Sequence, residues 1–228
     1  MGSPGNGWPR SGDVTVRISR LHFPVTVLGP GTRVGIWMQG CGIGCSGCMA
    51  RDTWASSGGT GMPVTELLSI CQAWFDRGAT GVTISGGDPF DQPEPLAAIL
   101  VGLRNIVRSA AAEIDVLCYS GRGLSWLQRR HPEILSLIDA LVPEPYRPEA
   151  GAGGPWRGSG NQPLILLSEL AQRRYTPEVL ADGARRLQLA VDDDGIWMIG
   201  VPGPGDMDRL TSTLESRGLI LGGESWRP

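Results

Sequence analysis

Lysine is absent from the 228 residues, so every basic side chain other than histidine is an arginine. That removes Schiff-base catalysis, which needs a lysine amine. Histidine occurs only at His22 and His131, which nearly excludes a metal site built on imidazoles. A basic surplus is missing too: the net charge of −3 offers no broad positive field for nucleic acid. No stretch approaches the ~20 apolar residues of a membrane span. The start, MGSPGNGWPRSGD, lacks the apolar centre of a signal peptide. A cytoplasmic location is therefore expected, with no membrane and no nucleic acid as partner.

What is present is cysteine, in an uneven distribution. Thiols stay reduced in the cytoplasm, so the five cysteines are better read as ligands or buried apolar groups than as disulfides. Cys41, Cys45 and Cys48 lie together in a glycine-rich loop, and no cysteine follows Cys118. Cys71 falls on the apolar side of a helical pattern and Cys118 inside a strand pattern, which points to the core for both.

The rest of the chain alternates strand and helix signals. Residues 1–12 are rich in Gly, Pro and Ser and read as disordered, leaving 13–228 as a single domain. Asp13–Leu28 reads as an extended pair with a break near Leu21–Pro24, and Arg33–Gln39 as a short apolar strand feeding a loop over 40–62. Apolar spacing predicts a helix over Val64–Arg77 that Gly78 ends. Strands are expected at 81–85, 114–120, 140–142 and 164–167, with helices over Pro95–Ala111, Leu124–Arg130 and from Glu178. The end differs: 187–191, the turn Asp193-Asp194-Gly195 and 196–201 read as a hairpin, followed by an amphipathic helix over Asp206–Arg217. Hairpin and helix are expected to complete the sheet, or else to form a docking surface. The alternation implies parallel βαβ units in an α/β fold, too short for eight of them, and hence a partial (β/α) barrel. In such folds functional residues collect on loops after the carboxyl ends of strands. The cysteine loop, GGDP (86–89), YSG (119–121) and the loop after LVP (141–143) all sit there.

Cys41-Gly-Ile-Gly-Cys45-Ser-Gly-Cys48 is a C-x3-C-x2-C arrangement. A cubane iron–sulfur cluster normally takes four cysteines, so three ligands leave one iron open, as a catalytic zinc keeps a position for its substrate. Structural zinc usually shows two ligand pairs, and no matching downstream pair occurs. GGDP alone is also an ordinary turn before a helix, with Asp88 as an N-cap, and YSG alone a plain strand-end turn.

The segment GPGTRVGIWMQGCGIGCSGCMARDTW (29–54) resembles the radical SAM superfamily and, more narrowly, the activating enzymes of glycyl radical proteins. ISGGDPF (84–90), YSG (119–121), DALVPEPY (139–146) and WRGSGNQ (156–162) follow in the order found in the anaerobic ribonucleotide reductase activating proteins. The resemblance implies a radical SAM type of partial barrel and a [4Fe–4S] cluster on Cys41, Cys45 and Cys48. It implies that S-adenosylmethionine (SAM) chelates the open iron and is cleaved reductively to a 5′-deoxyadenosyl radical. Gly86, Gly87 and Asp88 would meet the methionine ammonium, Ser120 would hydrogen-bond the cofactor, Gly121 would give it room, and Glu144 would stand at the ribose hydroxyls. A flavodoxin or ferredoxin is implied as electron donor, and a glycyl radical enzyme as the protein partner. Gly47 stands where many superfamily members carry an aromatic residue, as it does in the ribonucleotide reductase branch, while Met49, Arg51 and Pro143 depart from the usual pattern. Two other functions fit the same residues less closely. One is a radical SAM enzyme acting on a ribosomal peptide or small metabolite, the other a zinc-stabilised module without catalysis.

Overall fold

The computed structural model describes residues 14–110, 113–182, 186–192, 195–220 and 222. The segment 1–12 and the turn residues Asp193 and Asp194 lie outside the described residues. The chain runs β1 (Thr15–Val25), β2 (Arg33–Met38), β3 (Thr60–Pro63), α1 (Val64–Asp76), β4 (Gly81–Gly86), α2 (Pro93–Ala110) and β5 (Asp115–Tyr119). It continues with α3 (Leu124–Arg130), α4 (Pro132–Leu135), β6 (Ala140–Val142), β7 (Ile165–Leu166), α5 (Glu169–Arg174) and α6 (Pro177–Asp182). A hairpin of β8 (Leu187–Asp192) and β9 (Gly195–Gly200) and the helix α7 (Asp206–Glu215) close it.

Seven strands form one sheet in the order β3-β1-β2-β4-β5-β6-β7. Its centre, β2-β4-β5-β6, is parallel, and β1, β3 and β7 add antiparallel margins. Parallel strands carry cover on both faces, which explains why they read as nearly unbroken apolar runs. Side chains alternate accordingly. Val34, Ile36, Met38, Val82, Ile84, Val116, Cys118 and Leu141 pack with Leu67 and Cys71 of α1, Leu96–Leu103 of α2, Leu127 and Ile134 on one face. On the other, Leu117, Ala140 and Val142 meet Ala171 of α5 and Tyr175. Trp37, Val25 and Leu28 meet Ala190 and Ile199 of the hairpin there.

The amino ends of the parallel strands are pinned by a buried ion pair. Arg33 is fully buried and donates to both carboxylate oxygens of Asp115, at 3.0 and 2.9 Å, to Thr83 Oγ1 at 2.7 Å and to three carbonyls. Asp115 also accepts from the Tyr175 hydroxyl and pairs with Arg174. A Cβ at Gly81 would lie 2.3 Å from the Arg33 guanidinium, so only glycine leaves room for the pair.

The structure departs from the expectations in several places, among them the short helix α4, which was not expected. β1 runs unbroken through Leu21–Pro24, because shifts of register between Ile18 and Arg20 and between His22 and Val25 absorb the irregularity without ending the ladder. The tail of the cysteine loop forms β3, whose Thr60–Pro63 run has a glycine and a proline and no strand-like alternation. A helix, α5, precedes α6, with Ser168 capping it through a bond from Ala171 N. The hairpin does not complete the sheet: β8 and β9 pair only with each other. It lies against the sheet face, held by Trp197 edge-on to Trp37 at 5.1 Å and by Gln188 bonded to Pro24 O and Thr26 N.

Candidate functional site

Every candidate residue sits at the carboxyl end of the parallel strands. The cysteine loop leaves β2, GGDP leaves β4, YSG leaves β5, and the loop bearing Glu144 leaves β6. The three loop cysteines are free and half-buried, whereas Cys71 and Cys118 are buried in the core. Burial pushes the Cys71 thiol up to about 12 and lifts that of Cys118 as well, so neither is a ready thiolate.

The cysteine loop is clasped at its stem. Gln39 Nε2 donates to Asp52 O and Ala55 O, across the loop's base. Gln92 Nε2 donates to Gln39 O and Arg17 O, and the Arg17 guanidinium reaches the carbonyls of Ser57 and Gly58. Cys45 is the loop thiol whose titration is most perturbed by its surroundings. Burial pushes its thiol up first, the Tyr146 amide pulls it down, and the charges of Cys48 and Cys41 push it up again. Among the described residues, no three or more His, Cys, Asp or Glu side chains are grouped as ligands of a single metal ion. Thiolates are the donors an iron–sulfur cluster takes, and three of them on one loop would leave one iron of a cubane without a cysteine.

GGDP packs directly on this stem. Gly87 N donates to Met38 O and Asp88 N to Gly40 O, which prolongs the β2–β4 pairing into the loops. A Cβ at Gly87 would stand 2.1 Å from Gly40 O, so the contact requires glycine. Asp88 is buried and its carboxylate accepts from Phe90 N at 2.9 Å, Ser120 Oγ at 3.1 Å and Gly121 N at 3.0 Å. It caps the short turn Pro89–Asp91 and at the same time ties the β4 loop to the β5 loop. Burial dominates its titration and raises its pKa, with Asp91 adding to the rise and the Phe90 amide, Ser120 and Arg122 opposing it. Gly86, Gly87, Asp88, Ser120 and Gly121 are thus brought together, and Ile43 of the cysteine loop lies over Gly121. Glu144 stands further along: its Oε1 accepts from Leu124 N at the start of α3, and its own amide donates to Arg122 O.

Three residues outside the sequence reading join the site. Asp91 accepts from Gly42 N at 2.6 Å and pairs with Arg122, which stands 4.0 Å from Asp88 and lies over the Trp126 ring. Tyr146 lies against Gly47, where a Cβ would meet its ring at 3.3 Å. The signals for them were thin: an acid three residues after Asp88, and an arginine directly after YSG. The GSGNQ run proves to be a brace. Gln162 accepts from Gly158 N and Ser159 N and donates to Glu144 O, while Asn161 donates to Pro145 O. Together they hold the Glu144–Tyr146 turn, where Glu144 adopts a positive φ of 82°.

An α/β protein with three free thiols on a clasped loop at the carboxyl ends of its parallel strands is a cofactor-binding protein of the iron–sulfur class. The chain belongs to the 4Fe-4S single cluster domain family, which matches residues 27–165. It is similar to the anaerobic ribonucleoside-triphosphate reductase-activating protein of Vibrio cholerae, 31% identical over 147 residues, 62% of this chain and 92% of that protein. The Escherichia coli K12 protein of the same name is 30% identical over 148 residues, covering 62% and 93%. The pyruvate formate-lyase-activating enzyme of Clostridium pasteurianum is 42% identical over 87 residues, 37% of each chain. The protein is accordingly a glycyl-radical-activase-like radical SAM enzyme, with a [4Fe–4S] cluster and SAM as cofactors. α5, α6, the hairpin and α7 lie beyond the family match. Among the described residues, no helix is long and apolar enough to cross a membrane.

Proposed function

We propose that Cys41, Cys45 and Cys48 hold the [4Fe–4S] cluster with one iron left open, and that the protein installs a glycyl radical on a partner enzyme. The observation that carries this is three half-buried free thiols on one loop, clasped at its stem and leaving the carboxyl end of β2. When bound and reduced, the cluster supplies the electron that cleaves SAM to methionine and a 5′-deoxyadenosyl radical.

The chain's own residues bind and orient. Gly86 and Gly87 present backbone carbonyls free of side chains to the methionine ammonium. Asp88 fixes the spacing between GGDP and YSG and offers its carboxylate charge beneath them. Ser120 and Gly121 border the cofactor, Ile43 shields it from water, and Glu144 faces it from the end of β6. We read the open seven-stranded sheet as the partial barrel of the radical SAM type, and residues 13–228 as one domain, because the hairpin shares a core with β1 and β2.

The partner is a glycyl radical enzyme of the anaerobic ribonucleoside-triphosphate reductase type. Coverage of nearly the whole length of those activating proteins favours it over pyruvate formate-lyase, and so does Gly47. The remaining cysteines, Cys71 and Cys118, are core residues, so the chain has no second cluster to relay electrons, and a flavodoxin or ferredoxin supplies them. The test is anaerobic reconstitution with iron and sulfide, followed by reduction in the presence of SAM. 5′-Deoxyadenosine is expected from the wild type and none from Cys48→Ala. No product from the wild type, or an unchanged yield from the variant, would sink the reading.

A further inference from the structure

One ion pair stands against the cysteine loop itself. Asp91 follows β4 and Arg122 follows β5, so two different loops bring opposite charges to one place. Asp91 Oδ2 accepts from Gly42 N at 2.6 Å, while its Oδ1 accepts from the Arg122 guanidinium. Gly42 directly follows Cys41. A Cβ placed on it would lie 3.3 Å from Asp91 Oδ2 and 3.9 Å from Arg122 Nη2. Cys41, Gly42 and Asp91 also line one cavity.

Both side chains are held from behind. Arg122 lies over the Trp126 ring of α3 at 5.2 Å, and its amide donates to Ser120 Oγ at 3.0 Å. Asp91 ends the turn Pro89–Asp91, where its amide donates to Asp88 O. The arginine and aspartate side chains are 33% and 22% exposed, so water screens their charges only in part.

The potential of an iron–sulfur cluster follows the net charge around it and the N–H groups that point at its sulfurs. Reduction adds one electron, which a nearby anion opposes and a nearby cation favours. Asp91 acts twice in one direction. It sets a negative charge beside the loop, and it engages the Gly42 N–H, which is thereby withheld from the sulfurs. Arg122 acts the other way.

We propose that Asp91 and Arg122 are positioning residues that set the reduction potential of the cluster, Asp91 lowering it and Arg122 raising it through the loop at Gly42. This rests on the cluster assignment proposed above, and it adds which side chains decide how strong a reductant the protein needs.

The test is a mediated redox titration of reconstituted protein, kept anaerobic and free of SAM, with a titanium(III) reductant. The electron spin resonance signal of the reduced cluster is the readout. Asp91→Asn keeps the shape and removes the charge, and its midpoint should move up. A change of about tenfold in the reduced fraction at fixed potential is expected, the order of one charge-assisted hydrogen bond and about 59 mV for a one-electron couple. Arg122→Gln should move the midpoint down by a similar amount. Arg122→Lys, which keeps the charge, should stay near the wild type, and Asp91→Asn with Arg122→Gln should fall between the two single variants. Shifts of the same sign, or no shift in either, would overturn the proposal, because a merely structural clasp loosens the loop whichever partner is lost. Failure of Asp91→Asn to take up iron would overturn it as well, since the pair would then serve assembly. Iron content and 5′-deoxyadenosine formation of the wild type are measured alongside. A wild type without cluster or product counts against the assignment above, whereas a loaded, active wild type with unmoved variants counts against the pair alone.

Discussion

The two ends of the parallel strands use the same residue types to opposite purposes. At the amino ends, Arg33 and Asp115 are fully buried, paired through two bonds, and completed by Thr83, Tyr175 and Arg174. Burial keeps the Tyr175 phenol protonated, and so a donor to Asp115. At the carboxyl ends, Asp91 and Arg122 are paired but partly exposed, Asp88 is buried beside them, and the loop thiols are half-buried. Two buried donors there, Trp54 Nε1 and Arg122 Nε, have no hydrogen-bond partner. One end is finished by the chain itself. The other leaves two buried donors without a hydrogen bond, Arg122 Nε standing 4.0 Å from the Asp88 carboxylate, and so is less complete than the structural network of similar composition.

The sharpest way to break this contrast is to remove one arginine from each end. Arg33→Ala leaves Asp115 buried without its bidentate partner, and a loss of about 3–5 kcal/mol is expected in denaturant unfolding. Arg122→Ala removes a pair that is a third exposed on the arginine side, and about 0.2–1 kcal/mol is expected after allowing for solvent screening. Equal costs would show that the carboxyl end is as structural as the amino end.

A middle-sized effect concerns the brace on the Glu144–Tyr146 turn. Gln162→Leu strands the amides of Gly158 and Ser159 and the carbonyl of Glu144, and about 1–3 kcal/mol should be lost. The loss should be local. In folded protein freed of its cluster, alkylation at neutral pH is expected at Cys41, Cys45 and Cys48 and not at the buried Cys71 and Cys118. In Gln162→Leu, Cys45 should react faster than in the wild type, because burial is the largest cause raising its pKa and outweighs the Tyr146 amide, and a loosened turn relieves it. Faster labelling of Cys71 or Cys118 would instead mean that the whole domain had loosened.

How far the sequence could be read follows the same division. The parallel centre was legible because its strands and helices are dictated by local apolar spacing: α1, α3 and β6 fall almost where Leu67, Leu127 and Ala140–Val142 predict them. The cysteines and GGDP were legible because their spacing is short-range. β3 and α5 were not, since Thr60–Pro63 becomes a strand only by pairing with Thr15–Ile18, and α5 is too short to show a period. The hairpin was legible as a hairpin, but its place was not: packing Trp197 against Trp37 is a tertiary choice with no local signature. Asp91, Arg122 and Tyr146 escaped for the same reason, because each acts through a residue far away in the chain. Even Asp88, singled out from sequence, turned out to bond three groups of its own fold.

Asp88 gives the finest test of the contrast, through its proton. Its carboxyl is raised above the ordinary value of 3.8, with burial the largest cause, Asp91 adding to it, and the Phe90 amide, Ser120 and Arg122 working against it. In the unfolded chain the group would titrate near 3.8, so between that value and its raised value the folded state binds the extra proton. Stability from this group therefore increases as pH falls through the folded pKa, and changes no further once pH is below 3.8. Asp88→Asn lacks the proton and serves as the reference. In cluster-free protein, the unfolding free energy of the wild type minus that of Asp88→Asn should grow as pH is lowered across that window. A difference that shrinks would mean the donors outweigh burial, and that Asp88 is held as a settled carboxylate in the manner of Asp115. The carboxyl end would then be less open than its two orphaned donors imply.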